Sequence, residues 1–138
     1  MPIVTPTDQT VEEWRPGVRT RLLVSAATGA QSLCVFEQWS EPGRGAPTHT
    51  HFDVEEVILV VDGRAEVWID GETTVLERGG TALVPPNALH GFRNAGTEVL
   101  HTLTALPDAA PPVRYEDSGE VMTIGPADGG THRKRASR

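Results

Sequence analysis

His49 and His51 stand two residues apart, and in an extended strand such residues point to the same face, so one cation could meet both imidazoles. Glu56 follows five residues later, the wrong parity for one uninterrupted strand. The chain must therefore turn or bulge around Phe52-Asp53-Val54 before Glu56 can face the same centre. A His-x-His pair is a weak signal alone, because it arises often by chance. Other chemistries have no local support: the sequence holds no Ser-His-Asp set, no phosphate-cradling glycine loop and no paired Cys motif. Cys34, the single cysteine, sits in the apolar run Leu33-Cys34-Val35-Phe36 without a cationic neighbour, which reads as a small buried apolar residue rather than a reactive thiolate.

The elements that would carry these residues are short strands. Val18 to Val24 and Ser32 to Trp39 are β-branched and apolar, with Ala27-Thr28-Gly29-Ala30 as a hairpin connection between them. Glu41 to Pro47 breaks regular structure, and Thr48-His49-Thr50-His51 resumes it. Glu56 to Val61 ends at Asp62-Gly63 and Arg64 to Ile69 ends at Asp70-Gly71, which predicts two tight hairpins in succession, because Asp-Gly accepts positive φ. Strands over Glu72 to Leu76, Thr81 to Val84, Leu89 to Arg93 and Glu98 to Leu106 follow, each closed by Gly, Pro or Asn. With 14 Gly and 11 Pro in 138 residues, this even punctuation predicts an all-β sandwich or barrel of one domain.

The larger pattern Gly43-x5-His49-x-His51-x4-Glu56-x6-Gly63, followed by Gly79-x5-Pro85-x-Asn87-x2-His90-x3-Asn94, puts many more positions into register. These segments resemble the two motifs of the cupin superfamily, in particular its small, quercetin-dioxygenase-like members. The resemblance implies a double-stranded β-helix, a jelly-roll barrel with a metal inside. Carried across, it implies His49, His51, Glu56 and His90 as ligands of one divalent transition metal ion per subunit (Fe, Mn, Ni, Cu or Zn). Gly43, Gly63, Gly79, Pro85 and Asn94 fall at turn positions. Asn87 stands where the family usually has glycine, and asparagine tolerates positive φ. Glu55 adjoins Glu56, but the spacing to Gly63 favours Glu56 as ligand, with Glu55 pointing outward.

The expected organisation is an N-terminal arm (1–17), the cupin barrel (18–107), a C-terminal extension (108–128) and a basic tail without fixed structure (129–138). Phe92, which shares parity with His90, is a candidate for the substrate pocket, as are His101, Gln38 and Thr102. Trp14 and Trp39 are expected on the outer surface or at a subunit contact. The 12 Lys+Arg against 19 Asp+Glu, a net charge of −7, argue against nucleic acid or an anionic membrane as partner. The absence of a leader-like N-terminus, of a membrane-length apolar run and of a cysteine pair fits a cytoplasmic protein. In Glu56 to Val61 both faces of the strand are apolar, which predicts a cover on the outer face, foremost a second subunit in a homodimer and otherwise the chain's own N-terminal or C-terminal segment.

The function expected from this set is a metal-dependent oxygenase acting on a small metal-chelating organic molecule, with Glu56 as ligand and proton acceptor. The competing readings are a non-redox isomerase, lyase or cyclase, in which the ion is only a Lewis acid, and a binding or sensing module without turnover.

Overall fold

The Asp-Gly pairs show how the chain distributes itself between layers. In the computed structural model, which describes residues 3–5, 9–127 and the backbone of 132–134, Asp70 and Gly71 both take positive φ (47° and 84°) and Ile69 pairs with Glu72 across them. That is the two-residue hairpin expected. Asp62-Gly63 is different. The strands on either side of it lie in different sheets, so the second expected hairpin is a corner between layers. Gly63 (φ 98°) donates its N–H to the Asp62 carboxylate at 3.1 Å. A Cβ at position 63 would stand 3.0 Å from Leu100 Cα, so the chain turns hard against the neighbouring strand instead of folding back on itself.

The strands are β1 (Val11–Arg15), β2 (Val18–Val24), β3 (Cys34–Ser40), β4 (Gly45–Thr50), β5 (Glu56–Asp62), β6 (Arg64–Ile69) and β7 (Glu72–Glu77). They continue as β8 (Thr81–Val84), β9 (His90–Asn94), β10 (Leu100–Leu106), β11 (Pro112–Tyr115), β12 (Val121–Ile124) and β13 (His132–Lys134). One sheet has the order β1-β2-β3-β10-β5-β8 and the other β13-β12-β11-β4-β9-β6-β7. Neighbouring strands pair antiparallel, as in the jelly roll that the motifs imply. The loop between β2 and β3 holds one turn of 3-10 helix at Ala26–Thr28, capped by Ser25 and closed by Gly29 at φ 96°.

Alternation along the strands decides what faces inward. β10 buries Leu100, Thr102, Thr104 and Leu106, and β3 buries Cys34, Phe36, Gln38 and Ser40. Two apolar clusters result, one around Ile58, Val60, Val67, Phe92 and Leu100 and one around Leu22, Cys34, Phe36, Leu106 and Ile124. Burial pushes the Cys34 thiol up to about 12, with Asp108 and Glu56 adding to the shift, so it stays protonated within the second cluster.

The segments flanking the barrel join its sheets. β1 pairs with β2, and β11 pairs with β4 (Tyr115↔His49). In the tail, β13 pairs with β12, and the remainder of residues 129–138 lies outside the described residues. Neither terminal pairing lies beside β5, whose outer face keeps Val57 and Val61 exposed next to Leu83 of β8. No helix among the described residues is long and apolar enough to cross a membrane.

Candidate metal centre

His49 lies near the end of β4 and His90 begins β9, and the two are direct cross-strand partners. His51 follows just past β4 on the same inward face, so His49, His51 and His90 are all buried. The turn required before Glu56 is a crossing between sheets: the chain leaves β4 in one sheet and enters β5 in the other with Glu56 as its first residue. Glu56 is buried and Glu55 exposed, as the pleat demands. One ligand atom from each of His49, His51, Glu56 and His90 falls within 4.8 Å of the others, as a metal ion requires.

Asn87 holds the crossing in place. Asp53 and Asn87 both adopt positive φ (61° and 66°). The Asp53 N–H donates to Asn87 Oδ1 at 3.0 Å, and the Asn87 amide donates back to the Asp53 carboxylate at 3.1 Å. The Asn87 N–H also donates to the His51 carbonyl at 3.2 Å. The residue that departs from the family pattern therefore keeps the turn and adds a side-chain clamp. Asn87→Ala is expected to cost about 2 kcal/mol, from left-handed strain plus the lost bonds, and Asn87→Gly under about 1 kcal/mol. Urea unfolding of the metal-free variants measures both; equal stability of the two would contradict the left-handed strain, and an Asn87→Gly protein as stable as wild type would contradict the clamp.

Each imidazole has its Nδ1 against a backbone carbonyl: His49 at 2.6 Å from Pro47 O, His51 at 3.1 Å from Pro112 O and His90 at 2.9 Å from Ala88 O. A carbonyl only accepts, so each Nδ1 carries the proton and Nε2 remains for the centre. His90 Nε2 lies 2.6 Å from Glu56 Oε1 and His51 Nε2 lies 3.1 Å from Glu56 Oε2. With Nδ1 already protonated, each of these contacts needs a positive centre, either a second proton or a cation. The donor set thus fits a divalent metal on the Nε2 atoms and the carboxylate.

The electrostatics agree. Burial, together with the neighbouring His90 charge, pulls His49 down to about 3, which leaves it a neutral ring. Burial opposes charge on His51, but the Glu56 carboxylate outweighs it and raises its pKa. Burial likewise works to raise Glu56, yet the His51 charge and the hydrogen bonds from His51 and His90 hold it well below the usual carboxylate range.

His49, His51 and Glu56 line an internal cavity of about 30 Å³ between the two apolar clusters, with His90 behind Glu56 and outside the lining. Phe92 and Gln38 line it too, and the Gln38 amide is fixed by a bond to Thr20 Oγ1 at 3.0 Å. Thr102 pairs with Gln38 across β10 and β3 and is buried, but it is not among the lining residues. His101 faces the other way. It stacks on Trp39 at 4.9 Å and meets Glu37 at 2.9 Å on the outer side of the sheet, away from the cavity. Trp39 is on that outer face as expected, whereas Trp14 packs on Phe36 at 5.3 Å and lines the cavity. Arg15, Tyr115 and Val113 complete the lining from β1 and β11, segments that the motif register does not reach.

Residues 38–106, half of the chain, match the family model described as "Cupin domain". The chain is 34% identical over 108 residues, 78% of its length, to "Polyketide synthase CurC" of Streptomyces cyaneus, of which it spans 66%. It is 41% identical over 51 residues, 37% of its length, to "Quercetin 2,3-dioxygenase" of Bacillus subtilis (strain 168), of which it spans 15%. Both spans fall below two thirds of the relative's own length. Among solved structures, the polyketide cyclase RemF from Streptomyces resistomycificus superposes with a TM-score of 0.69 at 27% identity, covering 84% of this chain and 85% of that one.

Proposed function

The chain belongs to the cupin family, and from that premise we propose that it is a metal-dependent enzyme acting on a small enolisable carbonyl compound that chelates the ion. The reaction proposed is a non-redox carbon–carbon ring closure. The observation that carries the reading is the buried set of three imidazoles and one carboxylate with every Nδ1 locked to a backbone carbonyl. Three neutral imidazoles and one carboxylate leave a divalent ion with one net positive charge, and such an ion supplies Lewis-acid polarisation of the substrate oxygens.

The chain's own residues do the rest. Phe36, Ile58 and Phe92 make a dry wall, and Gln38 presents an amide whose orientation Thr20 fixes. Glu56, held well below the usual carboxylate range by its two histidine neighbours, serves as an anionic ligand. In the ring closure, a carbon between two carbonyls loses a proton and bonds to a third carbonyl carbon of the same molecule. That carbonyl's oxygen takes up a proton, so the step is an isomerisation before any loss of water.

The extent of the likeness favours ring closure over oxygenation: the match to the polyketide proteins runs over most of the chain and that to the dioxygenase over 51 residues. The dioxygenase segment keeps oxygenation as the second reading. Reloading the protein with Zn(II) or with Fe(II) under air, against 1,3-diketones, 3,5-diketo acids and catechols, separates the two. Ring closure predicts conversion with Zn(II), at unchanged mass or with loss of water, and no oxygen uptake. Oxygen consumption with Fe(II) and no conversion with Zn(II) would replace it by the second reading.

We further propose that the outer face of β5 and β8 is covered by a second copy of the chain. Val57 and Val61 are each 37% exposed and Leu83 58% exposed, and Val57 and Leu83 are cross-strand partners. Sedimentation is expected to give a dimer that Val57→Glu with Leu83→Glu converts to monomer. A wild-type monomer at micromolar concentration would contradict this.

A further inference from the structure

Among the described residues, Arg15 is the only arginine or lysine lining the metal cavity. Its guanidinium is half-buried, reaching from β1 across to β11 and β4. Its partners are neutral: Nη2 donates to the Tyr115 hydroxyl at 2.8 Å, Nη1 donates to the Gly45 carbonyl at 3.3 Å, and the group stands 5.6 Å from the centre of the Tyr115 ring. Among the described residues it pairs with no carboxylate. Arg21, Arg64 and Arg93, by contrast, sit on Glu37, Glu77 and Glu66.

The chain has 19 acidic side chains for 12 basic ones, so an arginine withdrawn from water beside a cation site and left without a counter-ion goes against the general balance. Desolvating a charge costs free energy unless an opposite charge compensates it, and a guanidinium–carboxylate pair is about twice as strong as a bond to a neutral acceptor. With Glu56 as the single carboxylate lining the cavity among the described residues, a divalent ion and Arg15 together leave about two positive charges for a ligand to neutralise.

Space points the same way. The cavity, at about 30 Å³, admits little more than one water. Arg15 also lines an outer groove of about 330 Å³, shared with Arg44, Pro47, Trp68 and Arg93. Arg44 is exposed there and, like Arg15, pairs with no carboxylate among the described residues.

We propose that Arg15 is the anion-binding residue of this site, and that the ligand is an organic acid with two separated parts. A chelating oxygen pair meets the ion, and a carboxylate displaces Tyr115 and Gly45 from the Arg15 guanidinium. The inference rests on the chelating-substrate reading given above and adds the second charge. As such a ligand enters, the Arg15–Tyr115 contact opens, and the strand that carries Arg15 is β1, an edge strand paired with β2 alone among the described residues.

The test uses the full chain loaded with redox-inert Zn(II), titrated calorimetrically with catechol and with 3,4-dihydroxybenzoate, whose carboxylate lies too far from its hydroxyls to join their chelate. Wild type is expected to bind 3,4-dihydroxybenzoate at least about tenfold tighter than catechol. Arg15→Gln is expected to abolish that ratio while keeping metal content and catechol affinity, and Arg15→Lys to keep part of it. Arg44→Gln, the same charge change in the same groove, is expected to keep the ratio. Equal binding of the two ligands by wild type, or a ratio that survives Arg15→Gln or is lost equally in Arg44→Gln, overturns the assignment of Arg15 alone. Failure of both ligands to bind overturns the assignment together with the chelating-substrate reading.

Discussion

Replacing His49 and His51 together by alanine is expected to leave a folded barrel that has lost its stoichiometric metal. Two of four donors go, and the remaining pair, Glu56 and His90, already satisfy one another at 2.6 Å. Changing residues that merely support a ligand costs roughly 10–100-fold in metal affinity, so removing two ligands is expected to cost more than about 100-fold. The fold survives because neither ring belongs to the apolar clusters, and truncation enlarges a cavity that already exists. Metal per chain after gel filtration, read beside circular dichroism, measures both halves of the statement. Full metal retention by the double variant would refute the ligand set.

Gly45→Ala is expected to be the most damaging single methyl in the barrel. A Cβ at position 45 would stand 2.1 Å from Phe92 O and 2.8 Å from both Phe92 C and Arg93 Cα, all backbone atoms that no rotamer change can move away. Gly45 pairs with Arg93 and Ala46 with Phe92, so relief requires β4 and β9 to part. The expected loss is about 3 kcal/mol or more, the upper end for overpacking. Because the same two strands set His49 opposite His90, metal affinity falls with it. Gly71→Ala is the comparison: φ is 84° there but nothing lies within 4 Å, so left-handed strain alone, about 1–2 kcal/mol, applies. Urea unfolding of both variants decides, and a Gly45→Ala protein as stable as wild type would contradict the packing described.

One substitution reaches both stability and metal because Gly45 and His49 lie on the same strand, opposite Arg93 and His90 of β9. The centre was legible in the sequence because His49, His51, Glu56 and His90 lie in a register of glycines, prolines and asparagines whose turns fix strand length. β6 and β8 fall on the bounds the punctuation predicts. Parity was less informative for His101. Period-two alternation says that His101 and Leu103 share a face but not which face turns inward, and the buried run Leu100, Thr102, Thr104, Leu106 is the one that does.

The Asp62-Gly63 corner was misjudged for a related reason. Positive φ makes a tight turn possible, and whether the chain then pairs with itself or changes sheet depends on a distant strand, here at Leu100. Arg15 and Tyr115 left no local signal at all. They meet over a separation of 100 residues, and only the pairing of β1 with β2 and of β11 with β4 brings both to the cavity. Asp53 and Asn87, 34 residues apart, offered half a signal: asparagine marked the turn, but its partner could not be read without the fold.

The central claim is that one divalent ion sits on the Nε2 atoms of His49, His51 and His90 and on the Glu56 carboxylate. Crystals of the protein reloaded with Zn(II), with data collected across the zinc absorption edge, test it most directly. The account predicts a single anomalous peak inside the barrel at about 2.0–2.2 Å from those four atoms, with each Nδ1 still on its backbone carbonyl. A peak elsewhere, or one bound through Nδ1, would contradict it.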